Sequence, residues 1–206
     1  MVYIIYFCLT IPLLLMLPLL QGQSRWLIGF MLIGASIAVS VSEINALIQI
    51  MMNLSSLQIS LQIAPGSEEI MKAIPILIYA ILLSDDPKKL LPLSMAVGIG
   101  FAILENAYVL MNNIESVSLL WAMIRGVSTS LMHGMCTFVV GYGMTYIKNQ
   151  KKLFYTGTFG LLAVAMTFHA TFNLLINSQW AMYGLLLPIV VYLTSQWYLF
   201  FQSKKS

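Results

Sequence analysis

The 206-residue sequence has a composition that excludes a water-soluble globular fold. Hydrophobic residues make up 60% of the chain and charged residues only 8%, and the mean hydropathy is +0.89. This small number of charged groups cannot cover a surface that faces water. The chain must therefore be surrounded by a lipid bilayer. The net charge of +3 is spread over the ends of apolar segments, and we therefore expect no nucleic-acid partner.

Apolar runs long enough to cross a hydrocarbon core, which takes roughly 20 residues, recur along the whole chain. They predict an all-α, polytopic membrane protein: a bundle of about seven transmembrane helices that forms a single integral membrane domain over residues 1–206. The predicted spans are 2–20, 26–51, 68–83, 90–111, 119–147, 153–176 and 180–201. The stretch 53–66, with its Ser and Gln residues, is predicted to be a re-entrant or interfacial segment.

Basic residues follow alternate spans, which predicts the orientation of the chain. The loops after the first, third, fifth and seventh spans contain Lys and Arg, whereas the other loops contain none. These residues are Arg25, Lys88, Lys89, Lys148, Lys151, Lys152, Lys204 and Lys205. The positive-inside rule then places the N-terminus outside and the C-terminus in the cytoplasm.

Several ionisable residues lie inside or at the ends of the predicted spans, where each charge costs about 2.5 to 3.5 kcal/mol on insertion scales. They are Glu43, Glu68, Glu69, Lys72, Glu105, Arg125, His133 and His169. Counted from the nearest cytoplasmic basic residue at about 1.5 Å per residue, Glu105 lies about 24 Å deep, His133 about 22 Å and His169 about 25 Å. The agreement predicts one polar layer in the outer half of the membrane.

Helical spacing indicates which polar groups share a face. On the fourth span Phe101, Glu105 and Tyr108 follow an i, i+4, i+7 pattern, beside small residues that permit close helix approach. The small residues are Ser94, Gly98 and Ala102. On the sixth span His169 and Asn173 are one turn apart. An acid as deep as Glu105 should point into the bundle and indicates a functional role.

Some of these residues also have a structural interpretation. On the third span Glu68 and Glu69 reach Lys72 at i+4 and i+3, so these charges can partly neutralise one another. Ser67 is a suitable N-cap for a helix that begins one residue later, and acidic groups in a first turn suit the helix dipole.

Arg125 and His133, both on the fifth span, have structural interpretations as well. We expect Arg125 to form an ion pair with Glu43 or Glu115. For His133, core packing or a hydrogen bond is the structural alternative to a catalytic role.

The polar layer contains the groups that hydrolysis of a peptide bond requires. A carboxylate in a water-poor site can act as general base to a water, and imidazole and carboxamide donors can stabilise the oxyanion. The sequence has no Gly-x-Ser-x-Gly, no His-Glu-x-x-His and no paired aspartates. A metal site of His133, His169 and a glutamate is chemically conceivable, but we expect no metal and no other cofactor.

Four short motifs follow one another on successive spans within residues 66–177. They consist of Glu68, Glu69, Lys72, Gly100, Phe101, Glu105, Asn106, Tyr108, Arg125, His133, His169 and Asn173. In order and spacing they resemble the motifs of the PrsW family, polytopic bacterial proteases grouped with the type II CAAX prenyl proteases as glutamic intramembrane proteases. PrsW members carry aspartate in the last motif, where this chain has Asn173, as the prenyl proteases do.

The resemblance implies an intramembrane endopeptidase in the bacterial cell (inner) membrane. Its substrate would be a single-span, membrane-anchored protein, for example an anti-sigma factor, cut near the extracytoplasmic side. By analogy with the prenyl proteases, Glu68 would activate the water, Glu105 would help to hold it, and His169 with Asn173 would form the oxyanion site.

The same resemblance gives Glu69 and His133 a supporting part in the geometry or in proton transfer. Two other classes of function stay open at this stage. Ionisable residues at one depth also build proton relays and transport sites, although the sequence has no internal repeat. A non-catalytic relative that binds and protects a partner, as in bacteriocin immunity, is the second alternative, although the full set of motifs argues against decay of a catalytic site.

Overall fold

The computed structural model describes residues 2–115, 117–150 and 152–203, and these contain helices and short connections but no strand. Seven long helices follow one another along the chain. They are α1 (Val2–Met16), α2 (Gly22–Met52), α3 (Ala64–Leu82), α4 (Pro87–Asn112), α5 (Leu119–Ile147), α6 (Phe154–Ile176) and α7 (Ala181–Ser203). The prediction of an all-α polytopic membrane protein is confirmed.

Four of these helices are long and apolar enough to cross a bilayer by length and composition alone. They are α1 with the 3-10 turn that follows it, α2, α4 and α6. Helices α3 and α5 are not among them, and both carry charged residues of the predicted polar layer. The orientation of the termini stays a prediction, and three residues on which it depends, Lys151, Lys204 and Lys205, lie outside the described residues.

The stretch predicted as re-entrant or interfacial is helical for most of its length. After α2 ends in the left-handed residue Asn53, a capping box of Ser55 and Gln58 starts a short helical turn. A π-helical turn over Ile59–Ile63 then runs directly into α3. A residue at position 65 of a regular helix would donate its backbone N–H to the carbonyl four residues earlier, but proline has no N–H. The chain can therefore widen into a π turn before Pro65 without the loss of a hydrogen bond.

The predicted N-cap role of Ser67 is therefore wrong. Helix α3 begins at Ala64, and Ser67 lies within its first turns. Its hydroxyl donates to Oδ1 of Asn45 on α2, over a distance of 2.8 Å. The side chain therefore joins two helices instead of ending one.

Helix α4 lies between α2 and α5, and glycines set its distance from both. A Cβ at Gly34 of α2 would collide with the carbonyl of Val97 on α4, and a Cβ at Gly98 would collide with the carbonyl of His133 on α5. The stripe of small residues predicted on the fourth span thus faces α5 at Gly98. This close approach brings the functional side chains of α4 and α5 within hydrogen-bonding distance.

The variant Gly34→Ala is expected to be destabilised by about 1–3 kcal/mol, because backbone on both helices must move to admit the methyl group. Gly29→Ala on the same helix is the matched control, since nothing lies within 4 Å of its Cβ position. Thermal unfolding of both purified proteins in one detergent measures the difference. Equal unfolding temperatures would contradict the proposed close packing of α2 on α4.

Candidate active site

A buried ion pair on α3 forms the centre of the polar cluster. Nζ of Lys72 lies 2.7 Å from Oε1 of Glu69, one turn away on the same helix, and the two residues are only 0% and 2% exposed. The ring of Phe101 covers the ammonium, with its centroid 4.6 Å from Nζ. Lys72 thus balances the charge of Glu69 inside the bundle, as the sequence predicted for this pair.

His133 of α5 connects that ion pair to Glu105 of α4. Its Nδ1 lies 2.7 Å from Nζ of Lys72, and its Nε2 lies 2.6 Å from Oε2 of Glu105. An ammonium group only donates hydrogen bonds, so Nδ1 accepts and Nε2 carries the hydrogen that is donated to Glu105. Both ring nitrogens of His133 are therefore engaged.

Arg125 pairs with Glu105, and the predicted pairing with Glu43 or Glu115 is wrong. Nη2 of Arg125 lies 3.2 Å from Oε1 of Glu105, and the guanidinium also lies over the ring of Trp121. Glu43 instead accepts a hydrogen bond of 2.7 Å from the hydroxyl of Tyr3 on α1. Arg125 and His133 lie two turns apart on α5 and bind different oxygens of the Glu105 carboxylate, so depth alone did not identify the partner of Arg125.

His169 of α6 lies between the two glutamates of α3. Its Nδ1 is 2.7 Å from Oε1 of Glu69, and its Nε2 is 3.8 Å from Oε2 of Glu68. A carboxylate only accepts, so Nδ1 carries the hydrogen and Nε2 presents a lone pair towards Glu68. Glu69 therefore fixes both the tautomer and the orientation of the imidazole ring.

Glu68 takes no direct part in the ion pair of Lys72, contrary to the sequence prediction for both acids. Its Oε2 is buried and has no hydrogen-bond partner among the described residues. A buried carboxylate oxygen without a partner is costly, which makes it a candidate for a functional group. The Nε2 atom of His169 lies 3.8 Å from this oxygen.

Asn173 lies outside the hydrogen-bonded cluster. It is one turn beyond His169 on α6, as predicted, but its Nδ2 donates to the carbonyl of Ser60 over 2.9 Å. That carbonyl belongs to the π-helical turn, so Asn173 anchors this turn against α6. Its second amide hydrogen has no acceptor among the described residues.

A cavity of about 390 Å³ reaches the cluster from the side of α2. Glu68 and Glu105 both line it, together with Asn45 of α2 and Ile59 of the π-helical turn. The side chain of Glu105 is 33% exposed, whereas that of His133 behind it is 1% exposed. The cavity therefore presents the two carboxylates to an incoming molecule and leaves the histidines behind them.

Six side chains were predicted as catalytic, and the structure brings five of them together. Glu68, Glu69, Glu105, His133 and His169 join through direct contacts, with Lys72 at their centre. Sequence reasoning missed Asn45 and Ser60, because an uncharged polar residue or a backbone carbonyl gives no charge or depth signal. The catalytic roles themselves remain a prediction.

Glu68, His133 and His169 also place one potential metal-ligand atom each within 4.8 Å of one another. A histidine ligand must offer a lone pair, and His169 does so through Nε2. His133 does not, because Lys72 donates to one nitrogen and the other donates to Glu105. Catalytic zinc sites use three protein ligands, and this arrangement provides only two, so the residues do not fit such a metal.

The protein is thus a helical membrane bundle in which acids and imidazoles meet at a cavity. This arrangement is typical of membrane proteins that carry a polar site inside the bilayer. A family model described as PrsW family intramembrane metalloprotease matches residues 22–200. The chain belongs to this family and is a multi-pass intramembrane protease, which confirms the resemblance seen in its motifs. No curated protein and no solved structure matches it.

Proposed function

We propose that the protein hydrolyses a peptide bond in a single-span membrane protein by means of a water molecule that Glu68 activates. The observation that carries this proposal is the buried, unpaired Oε2 of Glu68, which lines the cavity and faces the lone pair of His169. A general base needs a free oxygen at the place where substrate and water meet. Glu68 offers one.

The reaction can be followed through these residues. Glu68 takes a proton from the water as its oxygen attacks the substrate carbonyl carbon. The proton then passes from Glu68 to Nε2 of His169, which becomes a cation, and from there to the nitrogen of the leaving amine as the C–N bond breaks. Glu69 at Nδ1 stabilises this cation, which is the part that the aspartate plays in a Ser-His-Asp triad.

Glu105, on the α4 side of the cavity, helps to hold the water. Arg125 balances its charge and the N–H of His133 donates a hydrogen bond to it, so Glu105 can hold the water without taking its proton. The unpaired oxygen of Glu68 is then the stronger candidate for the base. This division of roles follows from the different partners of the two acids.

Stabilisation of the oxyanion is assigned to His169 in its cationic state and to the second amide hydrogen of Asn173. Asn173 is held in place by its bond to Ser60. Donors that are oriented before the reaction cost no reorganisation when charge develops on the carbonyl oxygen. This assignment also explains why Asn173 has to be anchored.

We further propose that this chemistry is of the glutamic type and independent of metal. The family description uses the word metalloprotease. Both nitrogens of His133 are engaged in hydrogen bonds, however, so Glu68, His133 and His169 together offer two ligands and not three. Carboxylates and imidazoles alone can supply the base, the acid and the charge stabilisation.

The substrate proposed is a membrane-anchored protein with one span, such as an anti-sigma factor, in a bacterial cell membrane. The polar layer lies in the outer half of the bilayer if the predicted orientation holds. Cleavage would then occur near the extracytoplasmic side. Measuring which fragment of a tagged substrate is released to that side tests the orientation.

The direct test is to co-express a panel of single-span proteins, including anti-sigma factors, with the wild type and with Glu68→Gln. We expect a cut by the wild type that falls by about 10²- to 10⁴-fold in the variant, the range for loss of a general base. Glu115→Gln, an exposed acid in the turn after α4, serves as the matched control and should cleave normally.

The purified wild type should also cleave in the presence of a chelator. If chelator abolished cleavage and zinc restored it, the metal-free mechanism would be wrong while the protease assignment stood. Cleavage by Glu68→Gln at the wild-type rate would remove Glu68 from the mechanism. If no protein of a broad panel were cut, binding of a partner or transport would be the next functions to test.

A further inference from the structure

Asn45 of α2 is a buried amide in the wall of the cavity that contains Glu68 and Glu105. It is only 9% exposed. Its Oδ1 accepts the hydrogen bond from Ser67, the residue directly before Glu68. That bond fixes the orientation of the amide, and Nδ2 donates to no group among the described residues.

The other polar side chains that α2 contributes to this wall differ from Asn45. The hydroxyl of Ser42 donates to the carbonyl of Val39 over 2.7 Å, and Nε2 of Gln49 donates to Ser56 over 3.3 Å. Glu43 carries no hydrogen to donate when ionised, and it accepts from Tyr3. Asn45 is thus the buried, oriented amide in the α2 part of this wall whose nitrogen donates to no group among the described residues.

A peptide bond inside a membrane helix cannot be attacked until the helix unwinds locally. Unwinding releases backbone N–H and C=O groups, and each costs several kcal/mol in hydrocarbon unless it finds a partner. Much of the cavity wall is apolar, with Val41, Ile59 and Leu104 among its lining residues. A donor in this wall would stabilise a released carbonyl of the substrate.

We propose that Asn45 is a substrate-positioning residue whose Nδ2–H group donates a hydrogen bond to a backbone carbonyl of the unwound substrate segment, beside the scissile bond. The proposal rests on the proposed protease function. Through Ser67, the same amide is tied to the turn of α3 that carries Glu68. Binding of the substrate and placement of the base are thus connected.

Three substitutions separate this role from a structural one. Asn45→Leu removes the donor at nearly constant volume, and Ser67 still has the carbonyls of Ile63 and Ala64 at 3.3 and 3.2 Å as acceptors. Asn45→Asp keeps an acceptor for Ser67 and removes the donor, but it also adds a negative charge near Glu68 and Glu105. Ser67→Ala is therefore the structural control, because it breaks the bond between α2 and α3 and keeps the donor of Asn45. If Asn45 only joined these helices, Ser67→Ala would raise KM as much as Asn45→Leu does.

The experiment measures KM and kcat with a purified, fluorescently labelled single-span protein that the wild type cleaves. Both Asn45 variants are expected to raise KM by about 5- to 10-fold with little change in kcat, because the hydrogen bond is made equally in the bound substrate and in the transition state. In the Glu68→Gln background, the same substitutions should weaken binding of the labelled protein by the same factor. Asn112→Leu, at an exposed asparagine near the end of α4, should change neither quantity.

Unchanged KM and binding in both Asn45 variants would overturn the role of Asn45, while loss of cleavage in Glu68→Gln would show that the protease function stands. A defect in Asn45→Leu with normal kinetics in Asn45→Asp would also overturn it and leave a structural role. If neither the wild type nor any variant cleaved or bound a single-span protein, the proposed function and this inference would fall together.

Discussion

Lys72→Met is expected to lower the free energy of unfolding by about 3–5 kcal/mol, the cost of removing one partner from a buried ion pair. Lys72 is fully buried, and its ammonium donates to both Glu69 and His133. Without it, the carboxylate of Glu69 loses the cation that balances its charge and keeps the hydrogen bond from His169. Reduced abundance in the membrane and a lower unfolding temperature in detergent measure this effect.

The double variant Lys72→Met with Glu69→Gln is the control for this prediction. It removes both charges together, so most of the stability should return. Activity should not return, because Glu69 also orients His169. Normal abundance of Lys72→Met with complete loss of cleavage would contradict a structural role. Lys72 would then belong to the catalytic groups.

His169→Ala is expected to lower kcat by about 10²- to 10⁴-fold and to leave a folded protein. The variant removes the group that carries the proton from Glu68 to the leaving amine. Folding should persist because Glu69 keeps its ion pair with Lys72. Single-turnover cleavage of a labelled single-span protein measures the chemical step, and thermal unfolding measures the fold.

Thr167→Ala on the same helix is the matched control, because its exposed hydroxyl donates only to the carbonyl of Ala163. It should cleave and unfold like the wild type. A wild-type rate for His169→Ala would exclude His169 as a proton carrier. Water reaching Glu68 through the cavity would then have to supply the proton to the leaving amine.

The number of helices and the common level of three polar residues could be predicted from the sequence, because both depend on hydrophobic length and on counting along a regular helix. Glu105, His133 and His169 were placed at one level in this way, and they share one cluster in the structure. The bounds of α5 agree with the prediction. The bounds of α3 do not agree with the prediction. The helix begins earlier, because it continues directly from a π-helical turn that has no clear sequence signal.

The choice of partners could not be predicted from the sequence. Glu68 and Glu69 both lie about one helical turn from Lys72. Glu69 nevertheless forms the ion pair, whereas Glu68 faces the cavity. That difference depends on the rotation of α3 against α5 and α6, which helical periodicity does not fix. Arg125 was likewise predicted to pair with Glu43 or Glu115, and the packing of α4 on α5 brings it to Glu105 instead.

The arrangement of the ion pairs also bears on how the chain enters the bilayer during synthesis. Helices α3 and α5 are not among those apolar enough to cross by themselves. Glu69 and Lys72 are three residues apart, so α3 can neutralise this pair as soon as its own turn forms. Glu105 and Arg125 lie on consecutive helices, so α4 and α5 can partition together as a hairpin. The contacts of His169 with Glu69 and Glu68, and that of Asn173 with Ser60, have to wait for α6. The site is therefore completed after most of its charges have been buried.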